Sequence, residues 1–347
     1  MSQDALSDVL RGVRLRGAVF FYISGHRGWV AEAPPGREIA PMLMQGVEHV
    51  MEYHVVAQGS CWVGIPGAGP PVQLAAGDIV LFPQGDAHVV SSAPGMRGRL
   101  DMEWFASAKV DQLPLRIAYN GDDVVLKAPE SDAEATIVCG FLGCDLHPFN
   151  PLISALPRML HLRPGPGEGW LARFIEQAVG ESQAKRPGGE AMLARMSEMM
   201  FVDAVRRHAE RLPSDSRGWL AGLRDRFVGR ALALLHERPA HAWTLEELGR
   251  EAGLSRSALH EHFLALVGVP PMQYLTQWRM QIAARRLLET RATVAAIALD
   301  VGYDSEAAFA RAFKRFVGKP PAAWRRERDG VGARPAADAG GRTRWSA

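Results

Sequence analysis

Cysteine is scarce in this chain, with three residues in 347. Three thiols cannot build the disulfide framework that staples small secreted domains, so a reducing cytosol is expected. Long apolar runs are missing as well. No stretch of 18 apolar residues occurs, so no transmembrane helix and no membrane partner are expected. The opening MSQDALSDVL lacks a basic segment followed by an apolar core, so no export signal is expected and the protein is read as cytoplasmic. Charge of one sign is nearly absent in sum, since the net value is only +2.

That small sum hides a division. From Ala221 onward there are 20 Lys/Arg against 13 Asp/Glu, and before it 20 against 25. An acidic front and a basic rear suggest separate jobs. The length suits two or three domains, and 47% hydrophobic residues supply enough apolar surface for folded cores.

Three textures follow one another along the chain. Residues 15–145 are rich in Gly, Pro and Val. Short apolar runs at Ala18–Ile23, Val50–Val56, Ile79–Phe82 and Ala135–Val138 alternate with turn signals at Gln58-Gly59, Ala76-Gly77 and Gln84-Gly85. Short strands with frequent turns predict an all-β barrel or sandwich. Residues 154–235 read as helical, with apolar residues at three and four spacing in 169–183, 189–210 and 218–236. Residues 243–328 are helical again in shorter units. The Gly/Ala/Arg-rich end is expected to be disordered.

The strongest pattern is an internal repeat. TLEELGREAGLSRSALHEHFLALVGVPPMQY at 244–274 parallels TVAAIALDVGYDSEAAFARAFKRFVGKPPAAW at 293–324. Leu245, Leu248, Ala252 and Gly253 match Val294, Ile297, Val301 and Gly302. After the turn, Ser255, Leu259, Phe263, Gly268, Pro271 and Tyr274 match Ser305, Phe309, Phe313, Gly318, Pro321 and Trp324. In each copy an apolar stripe defines a first helix, a glycine can end it with positive φ, and a serine can cap a second helix. The pair at i, i+4 faces inward and leaves the rest of the second helix free for DNA. That is a helix-turn-helix, present twice on a basic domain. Residues 272–290 predict one spacer helix, roughly 28 Å long at 1.5 Å per residue. Such a spacer could set two recognition helices about 34 Å apart, one turn of double-stranded DNA.

Residues 228–328, through AGLSRSALHEHF, GVPPMQYLTQWRMQIAARRLL and VAAIALDVGYDSEAAFARAFKRFVGKPPAAWR, resemble the DNA-binding domain of the AraC/XylS regulators. The resemblance implies a bacterial transcriptional regulator, such as an activator, acting on promoter DNA. One departure is His262, where the family commonly has a basic residue before the Phe. It implies weaker contacts or another base preference in the first unit.

In the front domain, Gly77-Asp-Ile-Val-Leu-Phe-Pro83-Gln-Gly85-Asp-Ala-His88 resembles the second cupin motif. The first cupin motif is largely absent, with Glu52 and His54 in its place. CGFLGCDLHPFNPLISALPRMLHL resembles the cupin-type N-terminal domain of a subgroup of the same regulators. A Gln58-Gly59 hairpin would pair Val56 with Cys61 and put His54, Val56, Cys61 and Val63 on one face. His54, His88 and Cys144 are the expected ligands of a metal such as zinc, with Cys139 and His147 as further candidates. Buried cysteines and core histidines are the competing reading.

The chain is therefore read as four parts. Residues 1–150 form a cupin-like sensor barrel, and 151–220 a helical linker with a dimerisation face at Met192, Met196, Met199 and Met200. Residues 221–328 form the all-α double helix-turn-helix domain, and 329–347 a disordered tail. The expected function is sequence-specific transcription regulation in response to a small molecule bound in the barrel, not catalysis. The alternative is a metal-dependent cupin enzyme fused to a DNA-binding module. Arg256, Ser257, His260 and Glu261 in the first unit, and Glu306 and Arg311 in the second, are the expected base readers. Lys314 and Arg315, nearer the helix end, are expected on phosphate. A homodimer and a contact with RNA polymerase are the other expected partnerships.

Overall fold

The computed structural model describes residues 4–44, 46–100, 115–125, 132–163, 169–184 and 186–332. Its first half runs α1 (Ala5–Gly12), β1 (Arg16–His26), β2 (Val30–Ala33), α2 (Gly36–Leu43), β3 (His49–Gly64), β4 (Val72–Ala75), β5 (Ile79–Phe82), β6 (His88–Ser91), β7 (Leu115–Asn120), β8 (Asp123–Val125) and β9 (Ala135–Cys144). Then come α3 (Pro151–Ser154), β10 (Leu160–Leu162), α4 (Gly169–Ala184), α5 (Gly189–Arg211), α6 (Trp219–Arg224) and α7 (Arg226–Glu237). The last part holds α8 (Leu245–Ala252), α9 (Arg256–Val267), α10 (Pro271–Glu289), α11 (Val294–Asp300), α12 (Glu306–Val317) and α13 (Pro321–Gly332).

The strands roll into a half-barrel around β3. One sheet follows the order β10-β5-β3-β9-β1-β7-β8, and the far half of β3 also pairs β4 and β6, which brings in β2. The expected hairpin at Gln58-Gly59 does not form. β3 passes straight through that pair, and only its register with β9 slips, between Val56 and Gln58. Gly59 there has φ +75°, and a Cβ would sit 2.0 Å from the carbonyl oxygen of Glu134, so the glycine is spent on a close crossing rather than a turn. Two further elements depart from the all-β and all-helical readings. α2 interrupts the strands, and β10 pairs β5 in a stretch expected to be helical.

Alternation sorts the strand residues into two cores. Val50, Val56, Val80, Phe82, Ile137, Cys139 and Phe141 point into the half-barrel. Met51, Tyr53, Val55, Ile79, Leu81, Val138, Leu142 and Cys144 point the other way. That second face is covered by α5, as period-2 geometry on a two-sided sheet requires. Tyr53 Oη lies 2.5 Å from Ser197 Oγ across this contact. At Gly17 a Cβ would lie 2.3 Å from the carbonyl oxygen of Ala194, so β1 and α5 touch backbone to backbone.

The core behind the sheet continues into the helical region. It takes in Val9 of α1, Met200 and Phe201 of α5, Trp219, Leu232 and Leu235, then Leu248, Leu259, Phe263, Tyr274 and Trp278. The first helix-turn-helix thus shares its core with the N-terminal half. The second has a separate core of Met280, Leu287, Ile297, Val301, Phe309, Phe313 and Trp324. The helix expected over 218–236 is two helices, because Asp225 leaves helical geometry at ψ 136° and caps α7 by accepting from the N–H groups of Phe227 and Val228. A domain boundary at 220/221 would cut α6. Trp219 Nε1 donates to Tyr274 Oη at 2.8 Å, so the N-terminal end of α6 is tied to the spacer helix α10. The expected disordered tail begins inside α13, and residues 333–347 lie outside the described set.

Candidate functional site

In the half-barrel, β3 and β6 deliver three buried polar side chains to one point. Glu52 and His54 are two apart on β3 and share its inward face. His88 begins β6, and its exposure is 1%. His54 Nε2 and His88 Nε2 lie 2.7 Å apart. Glu52 Oε2 is 3.8 Å from His88 Nε2, and Oε1 is 4.0 Å from His54 Nε2. His54 Nδ1 is 2.7 Å from Cys139 Sγ on β9, its register partner. Phe82 stacks on His88 with centroids 3.6 Å apart and holds that ring flat.

The protons of this cluster can be placed. Asp86 offers a carbonyl oxygen 2.9 Å from His88 Nδ1. A carbonyl only accepts, so Nδ1 carries the proton and Nε2 presents a lone pair. His54 Nε2–H then donates to it, and His54 Nδ1 accepts from the Cys139 thiol. Burial holds His54 well below its ordinary value, helped by His88 beside it. Burial also takes His88 down to about 4 and Glu52 up to about 8. The Cys139 thiol is pushed well up by burial, with Glu52 and Cys61 adding to the shift. Burial thus favours the neutral form of every member.

A cation fits this donor set. A histidine whose Nδ1 is committed to a carbonyl presents Nε2 as a ligand. Two histidines and a carboxylate are a ligand set used by zinc and by non-haem iron. Nitrogens each about 2.0–2.1 Å from a tetrahedral zinc stand roughly 3.4 Å apart, so the rings need separate by less than an ångström. Glu52, His54 and His88 form the candidate metal cluster found among the described residues.

Of the three expected ligands, the structure brings His54 and His88 together and leaves Cys144 out. Cys144 is five residues beyond Cys139, so strand parity turns it to the other face, near Asn150 Nδ2. His147 is exposed beside Glu48. Glu52 was visible in the sequence two residues from His54, but the meeting of that face with His88 depends on the pairing of β3 with β6, which sequence spacing does not reveal. Beside the cluster lies a pocket walled by Phe21, Ile23, Trp29, Ile117 and Ile137, with Glu52, His54 and Cys139 on its edge.

The second site is the paired helix-turn-helix. Thr244, Ser255, Thr293 and Ser305 each accept from a backbone N–H three residues on, capping α8, α9, α11 and α12. Gly253 and Gly302 take φ of +87° and +84°, and each sits in the turn between its two helices. Leu259, Phe263, Phe309 and Phe313 are fully buried. Arg256, Ser257, Glu261, Glu306, Arg311, Lys314 and Arg315 are exposed, and His260 is half-buried. Arg256 Nη1 is 2.9 Å from Glu246 Oε1, a surface pair on the adjoining helix. His262 is half-buried and already engaged by a partner. Its Nε2 lies 2.9 Å from Asp225 Oδ2 and ties α9 to the N-cap of α7.

A family profile described as Cupin matches residues 4–210, and one described as Helix-turn-helix domain matches 248–327. A profile for bacterial regulatory proteins of the tetR family matches only 228–264. A putative AraC-like transcription regulator of Streptomyces antibioticus is 34% identical, over 93% of this chain and 98% of its own length. The HTH-type transcriptional regulator AlkR of Acinetobacter baylyi is 28% identical, over 93% and 99%. Among solved structures, the DNA-binding domain of AdpA in complex with a target DNA is 28% identical. That match covers 30% of this chain and 93% of the other, with a TM-score of 0.29.

Proposed function

This chain belongs to the AraC-like transcription regulators with a cupin N-terminal half, and from that premise we propose a promoter-binding regulator whose DNA affinity answers to an effector in the half-barrel. The observation that carries this reading is the pair of capped helix-turn-helix units on one continuous helix, each with its polar recognition face exposed. Arg256, Ser257, His260 and Glu261 stand at the start of the first recognition helix, and Glu306 and Arg311 in the second, where base edges are read. Lys314 and Arg315 hold phosphate.

The effector site is the pocket and the cluster at its edge. Glu52, His54 and His88 hold a divalent metal, of which zinc is the leading candidate. When bound, the ion supplies the positive charge that keeps Glu52 ionised, and it joins β3 to β6. The neighbouring pocket is walled mainly by apolar side chains but holds only about 30 Å³, so an apolar effector would have to open it, and the indole N–H of Trp29 in its wall has no partner among the described residues. We read this half as a sensor and not a catalyst. The same reading places the protein in the cytoplasm, with RNA polymerase as a contact at the promoter. A second copy would dock through α5, whose Met192 and Met199 are exposed.

Selection of bound sequences from random double-stranded DNA by the full-length protein tests the core of the proposal. A recurring motif is expected. Equal retention of all sequences would defeat it. A molecule that co-purifies with the half-barrel should be recovered chemically unchanged after incubation with the metal-loaded protein, whereas conversion would favour an enzyme.

A further inference from the structure

The spacer helix α10 changes allegiance midway. Tyr274, Leu275 and Trp278 belong to the core of the first helix-turn-helix, and Met280, Ala283, Ala284 and Leu287 to that of the second. Arg279 sits at the changeover. Its Nε donates to the carbonyl of Pro239 at 2.6 Å and its Nη2 to that of His241 at 2.8 Å. Both carbonyls lie in the loop that leads into α8. Its Nη1 donates to the carbonyl of Gly302 at 3.3 Å, in the turn of the second unit. The ring of Tyr303 lies 6.0 Å from the guanidinium carbon.

The two loops also touch each other. A Cβ on Gly302 would lie 2.5 Å from the carbonyl oxygen of Ala240. With φ at +84° as well, this position has room only for hydrogen. A loop of the first unit, the turn of the second and one guanidinium from the spacer therefore meet in a single joint. Arg279 spends its donors on three carbonyls there, and no carboxylate forms an ion pair with it among the described residues. A planar fork with fixed donor directions suits this task, and a flexible ammonium does not.

The geometry points to Arg279 as a positioning residue for DNA specificity, one that fixes the rotation of the two recognition helices about α10 and so the spacing of the two sequence boxes read together. This rests on the regulator reading above. α10 alone sets how far apart the units stand. It leaves their relative rotation to whatever joins them beside the axis, and the Arg279 joint is that link. Two linked modules gain affinity only when both can engage at once, so the joint determines which spacing is recognised. Arg279, with its donors committed to three carbonyls, acts through the joint and not on a base.

The test is in vitro selection from random double-stranded DNA with the full-length wild type and with Arg279→Met, each checked for folding by circular dichroism. Wild type should enrich two boxes at one fixed spacing. The variant should enrich the same boxes with spacing spread over several base pairs. Its affinity for the wild-type two-box site should fall by roughly 10–100-fold through lost simultaneous engagement, while a single box binds within about twofold of wild type. A role in stability alone would weaken both boxes and leave the spacing fixed, so an unchanged single spacing overturns the inference. If Arg279→Met does not fold, Arg279→Lys, with its charge kept and its fork lost, takes the same test, and fixed spacing there overturns it too. A wild type that enriches one box would also overturn the joint while sparing the regulator. A wild type that enriches nothing would defeat the regulator reading itself.

Discussion

Gln281 reaches out of the spacer helix and donates its Nε2 proton to the carbonyl of Gly12, 2.8 Å away at the end of α1. Its Oε1 accepts from the N–H of Phe149 at 3.0 Å, in the segment that follows β9. One side chain, 2% exposed, thus closes two backbone groups of the N-terminal half onto the DNA-binding region. Gln281→Leu keeps the bulk and removes both bonds, leaving a carbonyl and an N–H without partners. The expected loss is about 2–6 kcal/mol, from a cost of roughly 1–3 kcal/mol for each of the two unsatisfied buried groups. Urea unfolding of the full chain measures it. A loss below about 0.5 kcal/mol, the range of an ordinary surface change, would show that the contact does not hold the halves together.

The metal assignment makes a prediction about composition. Protein purified without chelator and assayed by elemental mass spectrometry should carry one divalent ion per chain. His88→Ala and Glu52→Gln should each abolish that content, because each removes one of the three protein ligands assigned to the ion. Cys144→Ala should keep it, since Cys144 faces the opposite core. Loss of metal in Cys144→Ala alone would place the ion elsewhere.

Asp225 yields a prediction with a pH sign. Burial would raise its carboxyl, but the N–H of Val228, His262 and the N–H of Phe227 outweigh it and hold the group below its ordinary value of 3.8. A carboxyl lowered in the folded state stabilises above its unfolded pKa, and that stabilisation fades as pH falls through the folded one. Asp225→Asn should therefore be less stable than wild type at pH 7, and the gap should close on acidification below about pH 4. Asp225→Ala, which also loses the cap, should cost about 1–2 kcal/mol at neutral pH. A gap that stays constant down to strong acid would show that the ionised carboxylate is not the active form.

The DNA-binding half was legible in the sequence because its information is local and doubled. Ser255 and Ser305 cap where the repeat puts them, and Phe263 and Phe313 are buried as the i, i+4 pairs require. The half-barrel was legible only as a class. Gln58-Gly59 looks like a turn in one dimension, yet Gly59 serves a strand crossing whose partner, Glu134, lies far along the chain. The candidate metal cluster was legible only in part for the same reason. His54 and His88 announce themselves as residue types and Glu52 follows from alternation with His54, whereas bringing His88 to that face and turning Cys144 from it depends on how β6 and β9 pair with β3. His262 shows the limit on the helical side. Helix periodicity puts it near the surface but cannot show that Asp225 captures it.

The last prediction contrasts two basic residues of the recognition helices. Arg256 is the first residue of α9, and its guanidinium is exposed against Glu246 on α8. An exposed pair of this kind is worth at most about 1 kcal/mol, so DNA can draw Arg256 away at little cost. Its fork can then bond the two acceptors of a guanine. Lys314 lies eight residues into α12, in the last turn, where a point charge suits phosphate better than a base edge. Arg256→Ala should therefore cost roughly 1–3 kcal/mol of discrimination at one base pair and relax the preference there. Lys314→Ala should weaken all sequences alike and reduce the salt slope of binding by roughly 1. Fluorescence anisotropy over a set of single-base variants of the selected site, at several salt concentrations, separates the two. If Arg256→Ala leaves the ranking of variants intact, the first unit does not read a base through that residue, and the preference comes from Ser257, His260 and Glu261 or from Glu306 and Arg311 in the second unit.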